Sequence, residues 1–129
     1  MDVCGFPKNL YYYYKSWWTD EDVIHISPHW NWSEKIGKPI DVWVNSNADN
    51  VELFLNGKSL GKKTMPKNSH LQWQVNYEPG TLEAVGYKKG KKITTKVETT
   101  STPYKVVATT EKNIMTADGK DATIVNISI

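Results

Sequence analysis

Few residues of this chain could carry chemistry, and each can be weighed from type and spacing. Asp20-Glu21-Asp22 is the densest acidic cluster, and a pair of carboxylates flanking the scissile bond is what glycoside hydrolysis requires. The three are contiguous, however, and fall where an aromatic, helix-like segment gives way to an alternating one, so they read as a solvated turn. His25 and His29 are the next pair. Four residues along an extended strand span about 13 Å, too far for both to bind one ion. Cys4 is the only cysteine, which excludes an internal disulfide and leaves the redox compartment unread. Neither a serine or cysteine nucleophile arrangement nor a phosphate-cradling glycine loop is present, because Gly57, Gly61 and Gly90 fall at hairpins. The expectation is no catalytic residue, no cofactor or cofactor-binding residue, and no metal site.

The tryptophans are more informative. Trp30, Trp32 and Trp43 stand in or beside short strands, and a flat aromatic there either stacks on a sugar ring or packs against protein. Trp43 alternates with Val42 and Val44, so it points away from the core that those valines face. That apolar excess on the outer side of a sheet suits a contact between domains. These three residues are the candidates for a carbohydrate or interdomain contact. Lys58, Lys62, Lys63, Lys67, Lys88, Lys89, Lys91, Lys92 and Lys96 gather at hairpin ends without interleaved aromatics, the pattern of edge protection and solubility. With a formal charge of only +2, neither a nucleic-acid nor a membrane partner is expected. No apolar run reaches the length of a membrane span, and Met1 is not followed by a signal segment.

The elements that would hold these residues are legible from their periods. Pro7 suits a first helical turn, and Leu10, Tyr11, Tyr14, Trp17 and Trp18 recur at spacings of three and four, predicting a helix over 7–18 with one broad apolar face. Val23 to Ser27 alternates with Ile24 and Ile26 inward, and Ile40 to Asn45 forms the next strand. Val51, Leu53 and Leu55 then run into Asn56-Gly57, a two-residue hairpin turn, and out through Leu60 to Met65. Leu71, Trp73, Val75 and Tyr77 alternate with Gln72, Gln74 and Asn76, and two further strands, 81–87 and 93–99, flank a Lys-Gly turn. Seven short strands between 22 and 100 predict an all-β, immunoglobulin-like sandwich. Beyond Ser101-Thr102-Pro103, Tyr104 to Thr109 and Ala122 to Ile129 form two more strands, a truncated hairpin too small to bury a core.

The ordered string His29-Trp30-Asn31-Trp32, Ile40 to Asn47 and Val51 to Gly61 resembles the immunoglobulin-like domain that follows the catalytic barrel in bacterial family 2 glycoside hydrolases of the β-galactosidase type. Asp2 to Asn9 with Tyr11 to Trp18 resembles the last helix of that barrel. The resemblance implies three parts: residues 1–21 from the end of a barrel, the sandwich over 22–100, and 101–129 as linker and first strands of a second such module. It further implies that the catalytic glutamates lie upstream, that the partners are the barrel and neighbouring modules of the same parent chain, and that the parent is periplasmic or secreted. The function so implied is that of a non-catalytic accessory domain supporting the barrel and spacing later modules; the alternative is a carbohydrate-binding module using exposed tryptophans. Two uncovered ends also make self-association of the isolated chain an expectation.

From the missing carboxylate pair, the pure 129-residue chain should not hydrolyse nitrophenyl β-galactoside. Turnover abolished by changing a carboxylate of this chain would refute the assignment.

Overall fold

One helix, α1 (Asn9–Trp18), precedes seven strands: β1 (Ile24–Ser27), β2 (Pro39–Ser46), β3 (Asn50–Leu55), β4 (Lys58–Thr64), β5 (Leu71–Asn76), β6 (Thr81–Lys88) and β7 (Lys91–Glu98). A last pair, β8 (Val107–Thr110) and β9 (Val125–Ser128), follows. The computed structural model describes residues 2, 3, 5–103 and 105–128 and divides into two units, 1–99 and 100–129. Met1 and Cys4, with the expected strand ends Tyr104 and Ile129, lie outside the described residues.

In the first unit the strands form two antiparallel sheets, one ordered β1-β2-β5 and the other β4-β3-β6-β7. The chain crosses between sheets after β2, β4 and β5, which makes the immunoglobulin-like sandwich read from the sequence. The alternation does the work: β5 buries Leu71, Trp73 and Val75 and exposes Gln72, Gln74 and Asn76. Val42, Val44, Val51, Leu53, Leu82 and Ala84 are wholly enclosed between the sheets, and burying each Val or Leu is worth about 1.5–3 kcal/mol.

The central hairpin turns on Asn56 and Gly57, whose φ angles of 50° and 80° give the mirror-image turn that matches strand twist. Asn56 also ties this turn to the neighbouring one. Its Oδ1 accepts from Thr81 N at 2.9 Å and its Nδ2 donates to Pro79 O at 3.1 Å. A Cβ on Gly80 would stand 1.9 Å from Asn56 Oδ1, so glycine is required there for space as well as for its φ of 136°. One feature was not legible in the sequence. The register of β3 with β4 shifts between Glu52 and Phe54, a bulge in which Gly61 takes φ 100°.

One end of the sandwich is closed by Trp30, Tyr77 and Thr99. Trp30 and Tyr77 meet edge to face at 5.0 Å, and the Trp30 indole donates to Glu78 O at 3.0 Å. The Thr99 hydroxyl donates to Trp30 O at 2.7 Å, accepts from Gly80 N at 3.2 Å and lies 3.0 Å from the Tyr77 hydroxyl.

The helix begins at Asn9 rather than at Pro7, with Lys8 extended and no side chain capping the first turn. Its faces also differ from expectation. Tyr12, Tyr13, Ser16 and Trp17 turn toward the sandwich, while Leu10, Tyr11, Tyr14 and Trp18 point outward. Tyr12 stacks on His25 with ring centroids 3.7 Å apart, Tyr13 Oη donates to Asn68 O at 2.9 Å, and Trp17 Nε1 donates to Ser69 O at 3.0 Å. Trp17, grouped by spacing with Trp18, thus belongs to the opposite face. Aromatics surround this helix on every side, so period alone does not choose a face; acceptors about fifty residues away do.

In the second unit β8 and β9 pair antiparallel. Asp118 Oδ1 accepts from Lys120 N and Asp121 N in the connecting turn, at 2.8 and 2.9 Å.

Trp73, buried at 5% exposure, should cost about 3–5 kcal/mol when changed to Ala; an unchanged urea midpoint would show that it carries no core. Thr99→Val leaves three groups without their partner and should cost about 1–3 kcal/mol by the same measurement, whereas a loss below about 0.5 kcal/mol would mean that water replaces the hydroxyl.

Candidate functional site

The acidic cluster serves as a surface clasp. Glu21 pairs with Lys15 at 2.6 Å, Asp22 with Lys91 and, at 3.5 Å, with Lys88, and Lys88 Nζ also donates to Asp20 O at 2.9 Å. The Lys91 ammonium holds the Asp22 carboxyl below its ordinary range. These contacts tie the helix-to-strand joint to the β6–β7 turn.

The histidines are likewise occupied. His25 sits under Tyr12 with Nε2 3.1 Å from Asn9 Oδ1, and burial lowers its pKa, favouring the neutral ring. His29 stacks on Trp32 at 4.4 Å. Among the described residues no group of three or more His, Cys, Asp or Glu could hold a metal ion.

The three tryptophans have separate fates. Trp30 is 1% exposed and closes the core, so its ring is not available to a ligand. Trp32 lies against the rim of that core, its Nε1 donating to His29 O at 2.9 Å, with His29 stacked on it and Lys35 Nζ 4.2 Å from its centroid. Trp43 is different. It stands on the outer face of the β1-β2-β5 sheet, stacked on His70 at 4.9 Å and still 46% exposed.

Two concave surfaces border the helix. One, of about 620 Å³, follows its outward side along Tyr11, Tyr14 and Trp18, between Lys8 and Lys15. The other, of about 550 Å³, lies between the helix and the sheet and is lined by Leu10, Tyr13, Trp43, Asn45, Asn68 and His70 among others. Asn45 and His70 were not singled out from the sequence. A signal for Asn45 existed, because it lies two residues beyond Trp43 on one strand and therefore on the same face. His70 had none, since a loop after Asn68 delivers it.

The comparisons with known proteins agree with this architecture. Residues 37–94 match a family model described as "Domain of unknown function (DUF4982)". A β-galactosidase of Bacteroides ovatus is 44% identical over 132 aligned residues, covering all of this chain and 15% of that enzyme. A putative β-glucuronidase of Formosa agariphila is 50% identical over 111 residues, 82% of this chain and 11% of that protein. The crystal structure of a glycosyl hydrolase family 2 member from Bacteroides cellulosilyticus superposes with a TM-score of 0.86 at 32% identity, over 98% of this chain and 20% of that one. The chain thus spans a fifth or less of the length of the relatives it matches, and it belongs, as one segment, to the family 2 glycoside hydrolases.

Proposed function

We propose that this segment is a non-catalytic accessory domain of a β-galactosidase-like family 2 enzyme, in which residues 1–21 end the catalytic barrel, the sandwich buttresses it and residues 101–129 lead to a further module. The observation that carries this reading is the two-faced helix. Its inner face is bonded to the sandwich through Tyr13 and Trp17, while Tyr11, Tyr14 and, at 77% exposure, Trp18 form an apolar outer face. An aromatic surface of that kind is costly to leave in water and marks a contact. A helix fixed on one side to the sandwich and apolar on the other is suited to join two bodies rigidly. The ion pairing of Glu21 and Asp22 at the surface supports a structural reading of this cluster.

The triple change Tyr11→Ser, Tyr14→Ser, Trp18→Ser separates the roles. In the longer enzyme that carries this segment it should lower the melting temperature and the glycosidase activity together. In the isolated chain these exposed positions should alter unfolding by only about 0.5 kcal/mol or less per site. Unchanged stability and activity of the longer enzyme would refute the buttressing role.

A further inference from the structure

We propose that the groove beside Trp43 is a binding site for a neutral pyranose ring of a glycan. It lies between the inner flank of α1 and the outer face of β2, and only Leu10 borders both this groove and the outward side of the helix. The groove is therefore separate from the outward aromatic face of the helix.

Three observations converge on that ligand. Trp43 offers an exposed indole held in place by His70, which stacks on it with an interplanar angle of 30°. A sugar ring has apolar C–H faces and a polar rim, so a braced, flat aromatic surface is what its face requires. Next, Asn45 lines the groove with only 5% of its surface exposed, and its amide nitrogen and oxygen reach the groove rather than being sealed in the protein. A donor and an acceptor so placed together match adjacent sugar hydroxyls. Asn68 adds a second amide on the loop that also carries the acceptor for Tyr13.

The third observation is charge. No lysine lines the groove, no carboxylate does, and the chain contains no arginine. With no fixed cation in its lining and with His70 stacked on Trp43, the groove favours an uncharged sugar. The volume of about 550 Å³ lies within the range of small-molecule sites. A purely apolar protein surface seated on the groove would leave the Asn45 amide unbonded, so it fits less well than a hydroxylated ring.

The test is a titration of the ¹⁵N-labelled chain with lactose, with cellobiose and with methyl β-glucuronide, following the Trp43 indole N–H and the Asn45 side-chain amide. A neutral disaccharide should move both signals together and saturably in the millimolar range, with the glucuronide weaker. Trp43→Ala should weaken binding about tenfold or more, equivalent to about 1.4 kcal/mol, and Asn45→Ala should weaken it while the remaining spectrum reports an intact fold. Because Trp43 is exposed, its variant keeps the core, and a His70→Ala variant gives an independent check through loss of the brace. The proposal is overturned if neither neutral disaccharide produces saturable shifts, if the shifts survive Trp43→Ala, or if the glucuronide binds more tightly. The first of those results would assign the Trp43 surface to contact with another domain.

Discussion

The hydroxyl of Thr99 is the point on which the closed end of this sandwich depends. It bonds the carbonyl of Trp30 and the N–H of Gly80 and touches the hydroxyl of Tyr77, joining segments that enter and leave both sheets. Through it the last residue of the first unit is held to the loop after β1 and to the turn before β6. A hydroxyl can do this because it is donor and acceptor at once. The apolar part of the closure comes from the edge-to-face packing of Trp30 and Tyr77 above the inner residues of β5.

At the other side of the molecule the helix is an addition to that core rather than a part of it. Its inner aromatics are held by two main-chain acceptors, Asn68 O and Ser69 O, and by the stack of Tyr12 on His25. The loop carrying those acceptors also delivers His70 against Trp43. Helix placement and the shape of the Trp43 groove are therefore set by one short connection between β4 and β5. A change that moved this loop would alter both.

Much of the fold was legible because the sheet period is two and each strand has one wet face. Leu71 to Tyr77 announces its buried side residue by residue, and Asn56-Gly57 announces its turn. The helix shows where that reading stops. With Tyr11 to Tyr14 consecutive and Trp17 beside Trp18, apolar residues face every direction, and only the distant acceptors decide that Trp17 is inside and Trp18 outside. The three tryptophans divide in the same way: identical chemistry, but one is a core plug, one a rim residue, and one an exposed ring.

What the sequence by itself determined is the sandwich, the positions of its hairpins and the outward direction of Trp43, since all of these follow from local period, turn chemistry and residue type. What only the tertiary structure decided is which aromatic is available and what stands beside it. Asn45 becomes part of a groove lining only when α1 lies beside β2, and His70 becomes a brace only when its loop folds back on the sheet. Those relations join residues from separate parts of the chain, and neither spacing nor composition encodes a contact that long-range packing creates.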